Sequence, residues 1–320
     1  MKIAVLANLS AGGGKAAEVL EQIRKAWQAH ELIGAAGFGG EMLPRCLKAE
    51  SSPKPYLPAL KAALSQLLAQ SPDLLVTVGG DGTAAYAAEE LLTHGAGVPL
   101  FGIGTGTANV GPIVSCRAGD PLPDPSDLKA ERLGAVEALT LSGSHIAYGF
   151  NDLVLGNTFL GTDENGETAT YAAAALAGRG ILKKERPLRK ILKREGCFRK
   201  NGTPLPAPPY TAAQLIASPV ERDNYYGRAV TGLLCCTPNS PYQAAVYISP
   251  IPIVSMEENS AGFDSWFPGG QLLLKEGDLL EVTDPVRQVC VIADGNPYQI
   301  PEQGVGIRYV PALLPVLARR

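Results

Sequence analysis

The chain has 320 residues, 46% of them hydrophobic and 18% charged, with a formal net charge of −3 and a pI near 5.7. That is enough apolar material for the cores of two domains, and it lacks the basic excess by which nucleic-acid-binding domains displace counterions from phosphates. No apolar stretch reaches the length of a bilayer span, and Met1-Lys2 leads directly into a strand pattern without a signal peptide, so a cytoplasmic protein with no membrane partner is expected.

Six cysteines (Cys46, Cys116, Cys197, Cys235, Cys236, Cys290) are scattered without C-x-x-C spacing. The three histidines (His30, His94, His145) stand apart from them in sequence. The expectation is reduced, mostly buried thiols, with neither a zinc site nor a disulfide framework, and with no metal held by a protein ligand set.

Residues 2–9 read as a buried strand. Ser10-Ala11-Gly12-Gly13-Gly14-Lys15 then opens a helix with Ala16, Val19, Leu20, Ile23 and Trp27 on one face. This turn matches neither G-x-G-x-x-G nor the P-loop, so it reads equally as a phosphate cradle or as a simple βα loop. Residues 33–58, rich in Gly, Pro and Ser, read as an irregular connection with room for a short strand. A helix bearing Leu57, Leu60, Leu64, Leu67 and Leu68 comes next.

The run Leu74-Leu75-Val76-Thr77-Val78-Gly79-Gly80-Asp81-Gly82-Thr83 is the centre of the pattern. A β-prone segment breaks into glycines, exposes one carboxylate and enters a helix with Ala84, Ala87, Ala88 and Leu91 at helical spacing. Glycines let the backbone approach a ligand, and a helix N-terminus offers unpaired N–H groups and partial positive charge to an anion. Asp81 is the anomaly, because it would repel a phosphate held there unless a proton or a cation requires it. The plainer alternative is that Asp81 caps the helix.

Residues 98–103 read as the next strand, ending in Gly104-Thr105-Gly106-Thr107-Ala108-Asn109-Val110-Gly111. Alternating β and α segments predict an α/β domain with a parallel sheet, whose ligands bind beyond the carboxyl ends of its strands, so this loop is expected near Gly79. Residues 117–126 read as a surface loop. Residues 126–139, with Leu128, Ala135, Val136 and Leu139, read as a capped helix.

The character then changes. Short β-prone runs at 146–155, 229–235, 244–253, 272–274, 279–282 and 289–292 predict a β-rich second domain. Within it, residues 171–177 suit a short helix, followed by Gly178-Arg179-Gly180. Residues 183–200 are densely basic, which fits either a solvated face or a set of cations, among Lys183, Lys184, Arg186, Arg189 and Lys190, reaching ligand phosphates. Residues 201–210, with four prolines, read as an exposed loop.

Several of these residues match a known pattern. Gly79-Gly80-Asp81-Gly82-Thr83 after an apolar strand resembles the signature of the superfamily that contains NAD kinases and the diacylglycerol and sphingosine lipid kinases. Asn8-Leu9-Ser10-Ala11-Gly12 is similar to its opening Asn-Pro-x-Ser-Gly-type loop, with Leu9 for proline. Phe150-Asn151-Asp152-Leu153-Val154 looks like the Asn-Glu pair of NAD kinases with aspartate for glutamate, and Ala293-Asp294-Gly295-Asn296 like an Asp-Gly-Gln turn. The nearest flavour is an NAD-kinase-like branch of the acetoin-catabolism protein X type.

The resemblance implies a Rossmann-like α/β domain over 1–141, a β-sandwich over 142–305 and a segment over 306–320 that returns to the first domain. It implies a kinase that transfers the γ-phosphoryl group of ATP, with Mg²⁺, to a hydroxyl of NAD or a related nucleotide, and a homo-oligomeric assembly. Asp81 would be the general base. Asn8, Ser10, Gly79, Gly80, Gly82, Thr83, Gly104, Thr105, Gly106, Thr107 and Asn109 would hold nucleotide phosphates, and Asn151 with Asp152 the acceptor.

Two departures bear on the acceptor. Thr231-Gly232-Leu233-Leu234-Cys235-Cys236 keeps only the first two residues of the Thr-Gly-Ser-Thr-Ala-Tyr stretch of NAD kinases, and the loop at 104–111 differs from both branches. A nucleotide-binding regulatory or accessory protein without phosphotransfer, a lipid kinase and, last, a phosphofructokinase-like enzyme are the alternatives.

Overall fold

The computed structural model describes residues 1–48, 56–106, 111–162, 167–194, 197–220, 241–253, 269–301 and 303–318. The chain forms two compact units, one of residues 1–133 with 312–320 and one of residues 134–311. The β-prone run at 229–235, the motif at 231–236, Thr107 and Asn109 lie outside the described residues.

The first unit alternates strands and helices. Its elements are β1 (Lys2–Ala7), α1 (Lys15–Ala26), β2 (Glu31–Ala35), β3 (Arg45–Leu47), α2 (Tyr56–Leu68), β4 (Leu74–Gly79), α3 (Asp81–Thr93), β5 (Leu100–Gly104) and β6 (Val114–Arg117). The connection at 33–58 thus contains the end of one strand and the whole of another. The strands pair in parallel in the order β3-β2-β1-β4-β5-β6. Parallel neighbours need crossover connections; α1 supplies that between β1 and β2 and α3 that between β4 and β5, while α2 leads from β3 into β4.

Every residue of β4 is buried, as a strand covered on both faces must be. On one side Ile3, Val5, Val76 and Val78 meet Val19, Leu20 and Ile23 of α1. Leu60, Leu64 and Leu67 of α2 and Ala87, Ala88 and Leu91 of α3 are also buried. Strand order reverses between β1 and β4, which places the open crevice of such a sheet beyond Ala7 and Gly79.

The second unit is built from β-strands: β7 (Lys129–Thr140, entering from the first unit), β8 (His145–Gly149), β9 (Leu153–Gly156), β10 (Thr158–Thr162), β11 (Thr168–Ala172), then α4 (Ala173–Arg179), β12 (Phe198–Lys200), β13 (Thr203–Pro204), β14 (Gln214–Pro219), β15 (Ala244–Ser249), β16 (Gly270–Leu274), β17 (Leu279–Thr283), β18 (Cys290–Ala293), β19 (Asn296–Gln299) and β20 (Gly304–Ala318). The antiparallel sheet β16-β15-β14-β9-β18-β19 lies against strands β12, β17 and the first part of β20.

Alternation along each strand divides the side chains between two cores. Leu153, Leu155, Leu215, Val246 and Val291 face Phe198, Leu280, Val282, Val305 and Ile307, the interior of a β-sandwich. The residues between them, Val154, Ile216, Ala245 and Ile292, pack with Phe159, Tyr171 and Ala173 of the β10–β11 hairpin and α4.

The capped helix expected at 126–139 is a correction. A single 3-10 turn covers Pro125–Asp127, and the rest is β7, paired antiparallel with β8 through Val136↔Gly149 and Glu137↔Tyr148. The Ala, Leu and Glu content suits a helix locally, but pairing across the 141–144 turn and burial of Val136 and Ala138 outweigh propensity. The helix expected at 171–177 starts two residues later, as α4. The last part of β20 rejoins the first unit, where Val316 pairs in parallel with Leu100.

Candidate functional site

In the first unit three loops leave the carboxyl ends of β1, β4 and β5 and touch one another. After β1 the chain turns through Ser10 and Ala11–Gly14 into α1, with Gly12, Gly13 and Gly14 all at positive φ. Asn8 organises this turn. Its backbone N–H donates to Val78 O (2.8 Å), its Oδ1 accepts the Ser10 N–H (3.1 Å), and its Nδ2 reaches Thr83 Oγ1 at 3.5 Å.

After β4, Gly79 and Gly80 lead into α3. A β-carbon on Gly79 would stand 3.0 Å from Thr83 Oγ1 and 3.4 Å from Asn8 Cβ, so Gly79 sits tightly in its turn. Gly80 is different, with no heavy atom of the described residues within 4 Å of the place a β-carbon would take. It is the residue preceding α3 and provides no side-chain cap, just as Gly14 provides none for α1. Two helix N-termini therefore present first-turn N–H groups without side-chain caps at this edge of the sheet.

After β5, the Thr105 N–H donates to Gly79 O (2.9 Å), while the Gly104 carbonyl accepts from Ala118 N–H (2.8 Å). Gly12 lies directly on this loop: a β-carbon there would fall 1.9 Å from Thr105 O and 3.2 Å from Thr105 Cβ. The Thr105 residue is 2% exposed, and its hydroxyl oxygen is buried with no hydrogen-bond partner among the described residues.

Asp81 is the first residue of α3 and is half-buried; its Oδ1 accepts the Gly111 N–H at 3.2 Å. The glycine signature, Asn8, Ser10, Thr83, Gly104, Thr105 and Gly106 thus lie together at the carboxyl end of one sheet, on its strand ends, the loops that follow them and the first turn of α3. Ser10 takes part through its backbone, and Thr83 is largely buried as the anchor for Asn8. Mg²⁺ bound with a nucleoside triphosphate keeps waters and phosphate oxygens and needs only one or two carboxylates from the protein, and Asp81 is of that type. No cluster of three or more His, Cys, Asp or Glu suited to a metal occurs among the described residues.

In the second unit, Phe150, Asn151 and Asp152 form the turn between β8 and β9, and one carboxylate holds it. Asp294 accepts N–H bonds from Phe150 (2.9 Å), Asn151 (2.8 Å) and Asp152 (3.0 Å), and its own N–H donates to Asp152 O (3.0 Å). Ser218 Oγ–H donates to Asn151 O at 2.6 Å. Burial of Asp294 and the neighbouring Asp152 carboxylate push its carboxyl up to about 7, against the opposite pull of the three N–H donors.

Asn151 is 7% exposed; its Nδ2 donates to Asp152 Oδ2 (3.2 Å), while its Oδ1 is buried without a partner among the described residues. Asp294 was visible in sequence only as part of the Ala293-Asp294-Gly295 turn. Its positive φ of 49° marks that turn, but its hold on a turn 142 to 144 residues earlier in the chain is a tertiary fact.

The model of the diacylglycerol kinase catalytic domain matches residues 2–114. Over the whole chain, the structure is similar to that of yeast NADH kinase complexed with NADH, with a TM-score of 0.53 and 13% identity, covering 100% of this chain and 84% of that one. It is also similar to a diacylglycerol kinase structure from Bacillus anthracis str. Sterne, with a TM-score of 0.53 and 11% identity, covering 99% and 97%. No curated protein matches the sequence. The parallel sheet with glycine-rich loops and the β-rich second unit give this chain the two-domain fold of these kinase structures, and residues 2–114 are similar to the diacylglycerol kinase catalytic domain.

Proposed function

We propose that the protein transfers the γ-phosphoryl group of ATP to a hydroxyl of NAD or a related nucleotide, with Asp81 as the general base. The observation that carries this reading is the convergence of three ligand-facing features at the carboxyl edge of the first unit's sheet. They are the open backbone at Gly80, the close packing of the Gly12 turn on Thr105, which brings the loops after β1 and β5 together, and one carboxylate at the start of α3.

Phosphoryl transfer depends mainly on positioning and on stabilising charge spread over phosphate oxygens. First-turn N–H groups of α1 and α3 serve that role. A sugar hydroxyl is too weak an acid to lose its proton early, so a carboxylate that takes it as the new P–O bond forms lowers the barrier, typically by ~10²- to 10⁴-fold. Asp81 accepts that proton. Mg²⁺, when bound with ATP, supplies charge neutralisation at the phosphates.

Asn151 and Asp152 are proposed to bind the acceptor, with the unpartnered Asn151 Oδ1 accepting from a donor on the nucleotide. The acetoin-catabolism branch is proposed on the motifs alone, and so are homo-oligomeric assembly and a cytoplasmic site of action. A second reading, a lipid hydroxyl as acceptor, is favoured by the diacylglycerol kinase model over residues 2–114.

The test is ATP consumption by purified protein with Mg²⁺ and, in parallel, NAD, NADH or diacylglycerol in detergent micelles. Turnover with a dinucleotide, reduced by ~10²- to 10⁴-fold in Asp81→Asn with melting unchanged, is the expected result. Turnover only with diacylglycerol would move the assignment to the second reading. ATP binding without transfer to any acceptor would leave a nucleotide-binding protein and refute the kinase.

A further inference from the structure

We infer that the segment following α4 is a docking surface for an anionic lipid bilayer, a property independent of which hydroxyl is phosphorylated. Residues 178–186 are exposed without interruption. At their centre stand two adjacent large apolar side chains, Ile181 at 53% and Leu182 at 41% exposure. The other exposed large hydrophobics among the described residues stand singly in the sequence, which is ordinary for a protein surface. Two such side chains side by side at one tip, flanked by cations, have the make-up of an interfacial anchor.

The pair is held, not fraying. Gly180 closes α4 in the left-handed conformation (φ 65°), its N–H donating to Leu176 O at 2.9 Å. Beyond the pair, Lys183 O accepts the Ala172 N–H (2.8 Å), and the Glu185 N–H donates to Thr170 O (3.1 Å), so Lys184 forms an antiparallel β-bridge with Tyr171 of β11. Asn157 then clamps residues 186–188, donating to Arg186 O and accepting from Leu188 N–H, each at 2.8 Å. Ile181 and Leu182 are thus the tip of a braced loop.

Its surroundings are cationic. Ten of the chain's 28 Lys and Arg residues fall within 179–200, against two acids, in a chain whose net charge is −3. Arg179, Lys183, Lys184 and Arg186 flank the apolar pair and are exposed, with Lys184 also paired to Glu167 (2.6 Å). Arg189, Lys190 and Lys193 continue the exposed basic run. Apolar side chains that enter the acyl boundary, ringed by cations at headgroup level, bind acidic bilayers, whereas a polyanion alone gives exposed Ile and Leu nothing to bury against. The fit is to a bilayer surface and differs from membrane spanning, for which no helix of the described residues is long and apolar enough.

The experiment is co-sedimentation of the full chain with phosphatidylcholine–phosphatidylserine vesicles at low salt, with phosphatidylcholine vesicles and polyglutamate beads in parallel. Binding to the acidic vesicles alone is expected. It should fall about fivefold for each cation removed in Arg179→Ala and Lys183→Ala, and by about tenfold or more in Ile181→Asp/Leu182→Asp. Leu182→Trp adds a direct readout, because its emission should shift to the blue on vesicle addition only if the tip enters the bilayer. Absence of binding to acidic vesicles, binding unchanged in Ile181→Asp/Leu182→Asp, or equal retention on polyglutamate would each overturn the inference.

Discussion

Removing the Asp294 side chain tests how the Asn151–Asp152 turn is held. Asp294 is 7% exposed and accepts three backbone N–H groups at 2.8 to 3.0 Å, from Phe150, Asn151 and Asp152. Each buried N–H left without a partner costs roughly 1–3 kcal/mol, and a water entering the vacated space would satisfy one of the three, so Asp294→Ala should destabilise the second unit by roughly 2–6 kcal/mol. Asp294→Asn keeps an oxygen for two of the donors but turns an amide N–H₂ towards the third, a loss of about 1–3 kcal/mol.

Urea unfolding followed by circular dichroism gives the magnitude, and hydrogen exchange at residues 150–152 gives the location. The pH dependence supplies an independent sign. Burial and Asp152 raise the folded-state carboxyl to about 7. Its stabilising contribution is therefore complete below the ordinary aspartate range and is lost as pH rises through about 7. Wild-type stability should fall across that window, and the fall should be absent from both variants. A change below about 1 kcal/mol in Asp294→Ala, continued protection of the three amides, or an unchanged pH slope in the variants would refute the reasoning.

Two further substitutions and one titration separate packing from ligand binding. Gly12→Ala forces a β-carbon to 1.9 Å from Thr105 O at a φ of 67°, so it should cost roughly 2–4 kcal/mol and weaken ATP binding, measured by thermal melting and calorimetry. Gly80→Ala meets open space at φ −92°, so melting should stay within about 0.5 kcal/mol of wild type while ATP affinity falls, because only the ligand feels the methyl. Unchanged ATP affinity in Gly80→Ala would remove this turn from the binding site.

In the second unit, burial raises the Glu137 carboxyl, but hydrogen bonds from His145 Nδ1 (2.9 Å) and Arg308 Nε (2.7 Å) outweigh it and hold it below its ordinary value. That contribution is present above the ordinary glutamate range and is lost as pH falls through the lowered value. Glu137→Gln should therefore be less stable at neutral pH by about 1–2 kcal/mol, discounted because Arg308 and His145 are partly exposed, and less sensitive to acid in unfolding titrations.

Local pattern carried the first unit well. An apolar run ending in Gly79-Gly80-Asp81 and followed by alanines at helical spacing is a strand, a turn and a helix because each element is defined by its own side-chain period and its own breakers. The same logic failed at 126–139, where Ala, Leu and Glu read as a helix. There the partner strand lies across a turn, and pairing with residues 145–149 decided the outcome.

What no period encodes is the approach of distant segments. The sequence by itself determined that glycines and one carboxylate stand at the end of a buried strand, and that α/β alternation gives way to short β-strands. Only the tertiary structure decided that Gly12 lies against Thr105, that Asp294 holds the 150–152 turn, and that Ile181 and Leu182 are exposed beside a basic run. The reason is that hydrogen bonds and van der Waals contacts between residues far apart in sequence depend on where the sheets bring the chain back, which nearest-neighbour chemistry does not specify.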